Sequence, residues 1–64
     1  MEVKEVIKYL GLVEWTHVCI RCKREKHTQY LGGGTVSSVV RRFGTRIVKK
    51  TLISSENVLV IYVE

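Results

Sequence analysis

Residues 58–63, Val-Leu-Val-Ile-Tyr-Val, are apolar on both sides of a strand, and this run decides how the rest of the chain is arranged. Such a strand is typical of the middle of a sheet, or of a sheet face that a second subunit covers. Residues 46–53 alternate irregularly between apolar and polar, and residues 54–57, Ser-Ser-Glu-Asn, are turn formers. The last third of the chain therefore predicts a β-hairpin.

Two short amphipathic helices are predicted upstream of this hairpin. Apolar residues recur with helical spacing in residues 2–10 and again in residues 36–43. Gly11 and Gly44 directly follow these segments and can end a helix there, and Thr35 precedes the second segment as a favourable N-cap. We therefore expect one helix at about residues 2–10 and a second at residues 36–43.

A second hairpin is predicted between the two helices. Residues 13–20 alternate with a period of two, with Trp15 as an expected core residue, and residues 26–31 can return as the partner strand. The three glycines at 32–34 indicate a turn, a hinge or a close approach of the main chain to another group. The order helix, hairpin, helix, hairpin (αββαββ) predicts a small single α+β domain, residues 1–64. We expect an antiparallel sheet of about four strands with the helices packed on one face.

Length and composition narrow the class of protein. A chain of 64 residues buries a small core, so we expect a metal, a disulfide, a second subunit or a composition tuned for stability to supplement it. It contains no apolar run of membrane-spanning length and does not begin like a secretory signal, which predicts a cytoplasmic protein with no membrane partner. Ala, Asp and Pro are absent and the polar residues are largely Lys, Arg and Glu, a composition typical of thermophile proteins. No local arrangement of residues indicates acid–base or nucleophilic catalysis, so we expect no enzyme activity.

The net charge of +5 is concentrated in the middle of the chain. Residues 21–50 contain nine basic residues and one acidic residue, Glu25, which is a formal charge of +8, whereas the remaining residues carry −3. A basic surface of this kind predicts binding to a phosphate backbone, and DNA is expected rather than RNA. The alternative is a charged surface that only keeps a small protein soluble. The candidate contact residues are Arg21, Lys23, Arg24, Lys26, Arg41, Arg42, Arg46, Lys49 and Lys50.

Two further features could contribute to nucleic-acid binding. Tyr30 lies close to the basic segment and could stack on a base, although core packing or a cross-strand pair is commoner for a lone tyrosine. The backbone amides of residues 32–38, at the start of the second helix, could hold a phosphate. For these residues the alternative is an ordinary connection with a helix cap. No pattern indicates recognition of a specific base sequence.

The segment Cys-Ile-Arg-Cys-Lys-Arg-Glu-Lys-His, residues 19–27, predicts a metal site. Cys19, Cys22 and His27 have the spacing of three of the four ligands of a small zinc knuckle. His17, or a second cysteine pair across a twofold axis, could complete the tetrahedron. Shared coordination requires a turn between the cysteines, because a straight strand would place them on opposite faces. The alternatives are a local disulfide and two buried free thiols.

The sequence thus supports two hypotheses about function. The first is a small basic nucleic-acid-binding protein with a regulatory or architectural role. The second is a homo-oligomeric assembly module, bridged by metal or disulfides through Cys19 and Cys22, without a nucleic-acid role. A homodimer is expected in either case, because two short helices have little material to cover both faces of strand 58–63. We expect Leu59 or Ile61 to contribute apolar contacts to that dimer.

Overall fold

The computed structural model describes residues 1–14, 16–55 and 57–64. Along the chain, the elements are α1 (Val3–Leu10), β1 (His17–Lys23), β2 (Thr28–Gly34), α2 (Val36–Phe43), β3 (Val48–Ser55) and β4 (Val58–Val63). This is the αββαββ order that the sequence pattern predicts. Trp15, the expected core residue, lies outside the described residues.

The four strands form one mixed sheet in the order β2-β1-β4-β3. Each predicted hairpin is antiparallel, but β1 and β4 lie side by side and run parallel. The prediction of an antiparallel sheet is therefore wrong at its central pair. A hairpin is antiparallel because its connection is short, whereas the direction in which two hairpins meet depends on the path of the longer connection through α2.

Alternate residues of the two central strands enter the hydrophobic core. The side of the sheet on which they lie is called the first face below. Buried residues of both helices belong to the same core cluster, which consists of Val3, Ile7, Val18, Ile20, Cys22, Val39, Leu59, Ile61 and Val63. The apolar run 58–63 is thus the central strand β4, the first of its two expected positions. Leu59 and Ile61 are buried within the core of the single chain. The homodimer stays a prediction.

Local capping accounts for the helix boundaries. α1 begins one residue later than expected, where the Glu2 N–H donates to Glu5 Oε1 at 2.8 Å, and ends at Gly11 with a left-handed φ of 63°. α2 has the predicted bounds, and its N-cap Thr35 accepts a hydrogen bond from the Ser38 N–H at 3.3 Å. Neither helix in the described part of the chain is long and apolar enough to cross a membrane.

The three glycines belong to strand β2 and do not form a turn. Leu31 is an extra residue in β2, because Ile20 pairs with Gly32 and Arg21 pairs with Tyr30. A Cβ on Gly32 would lie 3.0 Å from the Phe43 ring of α2. Of the three expected roles, the structure therefore shows the close approach of main chain to another group, and Gly32 lets α2 pack tightly against β2.

Candidate nucleic-acid interface

The second face of the sheet is the side opposite the core, formed by the strand residues that alternate with the buried ones. One row of side chains crosses this face over all four strands. Arg21 on β1 pairs with Tyr30 on β2 and with Tyr62 on β4, and Tyr62 pairs with Lys50 on β3. Directly paired residues of neighbouring strands place their side chains on the same face. Aromatic rings and cations therefore alternate along the row Tyr30, Arg21, Tyr62, Lys50, which is called the central row below.

Contacts within the protein engage the side chains of the central row only in part. Tyr30 is 57% exposed, so core packing does not use its ring. The Lys50 Nζ lies 5.7 Å from the centroid of the half-buried Tyr62 ring, within the range of a cation–π contact. The Nε of Arg21 is buried and has no hydrogen-bond partner among the described residues. A buried donor without a partner costs about 1–3 kcal/mol, so a conformation of Arg21 that donates to a ligand would relieve an existing penalty.

A depression of about 350 Å³ lies next to the central row. It is found where β1 and β4 end and where β2 and β3 begin. Its lining consists of Lys23, Thr28, Lys49, Lys50 and Tyr62. Three ammonium groups and one aromatic ring thus surround a single concave site, a combination that can hold a phosphate beside a planar ring.

The next row of paired residues, on the side of the central row away from the depression, is apolar. Cys19 pairs with Gly33 and with Val60, and Val60 pairs with Leu52. Val60 is only 5% exposed although it lies outside the main core cluster. The cations and the aromatic rings of the second face are therefore grouped in the central row and the depression, while the exposed His17 lies at the opposite end of β1.

The structure separates the nine basic residues into three groups. Arg21, Lys23, Lys49 and Lys50 belong to the central row or line the depression. Arg24 and Lys26 lie in the connection between β1 and β2, and Arg41, Arg42 and Arg46 lie in α2 or just after it. The guanidinium of Arg42 lies 4.9 Å from the centroid of the Phe43 ring of α2. The nine basic residues are therefore carried by different elements, and Arg24 and Lys26 lie in the connection that adjoins the depression, between Lys23 and Thr28.

The predicted metal ligands lie in three different environments. β1 runs through both cysteines without a turn, so Cys22 is buried in the core while the half-buried Cys19 lies on the second face. Both thiols are free, and His27 is exposed in the connection to β2. Within residues 1–14, 16–55 and 57–64, no group of three potential metal ligands comes together. A shared zinc ion would require β1 to turn between its cysteines, and zinc binding stays a prediction.

The candidate phosphate site at the start of α2 holds a carboxylate of the protein itself. Glu14 Oε2 accepts a hydrogen bond from the Ser37 hydroxyl at 2.8 Å, and Glu14 Oε1 accepts one from the Ser37 N–H at 3.4 Å. The hydroxyl bond is the largest cause that lowers the pKa of Glu14 below its usual value. A phosphate at this helix end would meet a negative charge, so the structure favours the alternative of an ordinary helix cap.

Sequence reasoning missed the role of Tyr62. The apolar run 58–63 indicates a buried strand, and a tyrosine within it resembles one more core residue. The available signal is the period of two, because Tyr62 lies between Ile61 and Val63, which both enter the core. Only the pairing with β1 and β3 shows that Tyr62 lies beside Arg21 and Lys50.

Comparison with protein-family models, with curated proteins and with solved structures finds no match for this chain. Function is therefore inferred from the chemistry of the site.

Proposed function

We propose that this protein binds nucleic acid through the second face of its sheet, mainly by contacts to phosphates. The observation that carries the proposal is the depression in which Lys23, Lys49 and Lys50 surround Tyr62. Phosphate contacts need positive charge within reach and little else, so binding of this kind shows weak sequence preference. The four strands contain no acidic residue, and among the described residues the lining of the depression consists of three lysines, a threonine and a tyrosine.

We infer that both helices cover the first face of the sheet. Their buried residues share one core cluster with the same alternating positions of β1 and β4. This arrangement directs the central row away from the core, toward a ligand. We propose DNA as the partner, as expected from the sequence. Phosphate contacts are common to DNA and RNA, so parallel titration of DNA and RNA oligonucleotides of the same base sequence tests this choice.

Fluorescence anisotropy with short labelled oligonucleotides tests this proposal. We expect binding at about 50 mM salt that weakens strongly at about 200 mM, because each neutralised phosphate releases counterions. Lys50→Gln should weaken binding, since Lys50 lines the depression. The matched control is Lys8→Gln in α1, which removes an exposed lysine on the helix side. No binding at low salt, or an affinity that does not change with salt, would contradict the proposal.

A second candidate function is self-assembly, and the edge strand β3 supports it. Within the described residues β3 pairs with β4 alone, and it carries the exposed residues Leu52 and Ile53, the latter 76% exposed. An exposed apolar edge is a template for pairing with another chain. In this alternative, a homodimer forms along β3. Cys19 is the more accessible cysteine, but it lies on β1, two strands from that edge, so a metal or disulfide bridge through it would join two second faces and not two β3 edges.

Native mass spectrometry distinguishes the two candidates, because it reports subunit number, bound zinc and disulfide mass together. The assembly function predicts a dimer that Ile53→Lys disrupts, with Lys8→Glu on α1 as a control for altered surface charge. A monomer at high micromolar concentration, without metal, would contradict the assembly function and leave nucleic-acid binding untouched.

A further inference from the structure

We propose that the second face binds single-stranded nucleic acid in preference to duplex, with one base stacked on Tyr62 and another on Tyr30. This inference rests on the proposed function. It adds the form of the nucleic acid and the two residues that contact its bases.

The spacing of the two tyrosines favours a single strand. Tyr30 on β2 and Tyr62 on β4 lie on either side of Arg21 in the central row. Neighbouring strands are about 4.8 Å apart, so the Cα atoms of the two tyrosines are about 10 Å apart. Successive bases of a duplex strand lie about 3.4 Å apart and cover each other's faces. An unstacked single strand can instead open far enough to place one base on each ring.

The exposure of the rings supports the same reading. The sequence leaves open whether Tyr30 packs in the core, but its 57% exposure shows a ring available to solvent. Tyr62 lines the depression, while its neighbours Ile61 and Val63 enter the core and fix the strand beneath it. Aromatic rings held on a sheet are an effective way to bind unstacked bases, because every base has an aromatic face.

The cations beside the rings complement the negative charge of a nucleic acid whose bases stack there. Arg21 lies between the two tyrosines and has an unpartnered Nε donor. Lys50 lies beyond Tyr62 with its Nζ 5.7 Å from the ring centroid, and Lys23 lines the same depression. Phosphates that link the stacked bases would therefore meet positive charge between and beside the rings. An acidic peptide could use these cations, but only aromatic side chains at a matching spacing would stack on both rings, whereas every base of a nucleic acid supplies an aromatic face.

The test compares tyrosine variants on a labelled single-stranded oligonucleotide and on its duplex. Tyr62→Ala and Tyr30→Ala should each weaken single-strand binding by about 5- to 150-fold, the effect of losing one base–ring stack. Duplex binding should change little. Tyr62→Phe should bind as the native protein does, because it keeps the ring. The matched control is Tyr9→Ala in α1. Tyr9 is 81% exposed and lies near Lys49 and Lys50 but outside the central row, so its loss should leave single-strand binding close to native.

Because Tyr62 is half-buried, Tyr62→Leu serves as a second variant that keeps apolar volume and removes the ring. Circular dichroism confirms that each variant is folded. If folded tyrosine variants bind the single strand like the native protein while Lys50→Gln binds weakly, stacking is overturned and phosphate binding stands. Tighter binding to duplex than to single strand would also overturn it. If the native protein binds neither nucleic-acid form at low salt, the proposed function fails together with the stacking proposal. Binding of an acidic peptide alone leads to the same conclusion.

Discussion

Removing the lysines around Tyr62 should flatten the salt dependence of single-strand binding. Four cations, Arg21, Lys23, Lys49 and Lys50, lie on the central row or line the depression. Each phosphate contact to a single strand contributes about −0.7 to the slope of log affinity against log salt, so the native slope should be about −2.8. Replacing the three lysines with Gln leaves one contact and a slope of about −0.7. Between about 50 and 200 mM salt, native affinity should fall about 50-fold and variant affinity about 3-fold.

The assay is fluorescence anisotropy of one labelled oligonucleotide, titrated with protein at several salt concentrations and one pH. The matched control replaces three arginines on the helix side, and both triple variants lower the net charge from +5 to +2. All six replaced side chains are exposed, so both variants should fold, and thermal melting checks this. The helix-side variant should keep a slope close to the native one. Its three substitutions are Arg41→Gln, Arg42→Gln and Arg46→Gln.

The comparison of slopes can refute the reasoning in two ways. If the helix-side variant flattens the slope and the lysine variant does not, the nucleic acid lies against α2 and the assignment to the second face is wrong. If both variants flatten it equally, net charge alone governs binding and no defined contact surface exists. The latter result would favour the alternative in which the charge serves solubility.

Three further predictions concern the fold around the site. Ile61→Ala should lower the free energy of unfolding by about 2–5 kcal/mol in urea denaturation, because Ile61 is fully buried. The exposed Ile53→Ala should change it by less than about 0.5 kcal/mol, and equal losses would contradict the burial. The Glu14 carboxylate has a lowered pKa, so its stabilising contribution is present at neutral pH and lost as the pH falls below its ordinary value of 4.5. In melting curves, Glu14→Gln should therefore be less stable than the native protein at neutral pH, and this difference should narrow in acid. A thiol reagent should modify Cys19 before the buried Cys22, whereas equal protection of both by added zinc would show a shared metal site.

The secondary structure could be predicted from sequence because its determinants are local. The helical spacing of residues 36–43, with Thr35 before them, defines α2 with its observed bounds and N-cap. The same holds for α1, which ends at Gly11 as expected. The apolar run 58–63 indicated a strand buried on both sides, and β4 is central in the sheet. For the two helices the decisive contacts lie within a few residues along the chain, whereas for β4 the apolar composition of the run itself indicates burial.

Whether Cys19 and Cys22 share one site could be predicted only on a condition. The odd separation of Cys19 and Cys22 indicates opposite faces if β1 is straight and a shared site if it turns. The residues between them do not decide which of these occurs. In the structure β1 continues to Lys23, because it pairs with β2 on one side and β4 on the other. Strand pairing, a long-range property, thus separates the two thiols.

The candidate site depends on the same long-range pairing. The sequence determined which residues carry charge and rings, where the hairpins lie, and that the middle of the chain is basic. The tertiary structure decided that β1 and β4 are parallel neighbours, which brings Arg21 beside Tyr62 and places Lys50 next to it. Periodicity reports which side of a strand is buried, but it contains no information on which strands become neighbours or in what register. Those choices follow from burying the core of the whole chain at once, and they assemble the central row from all four strands.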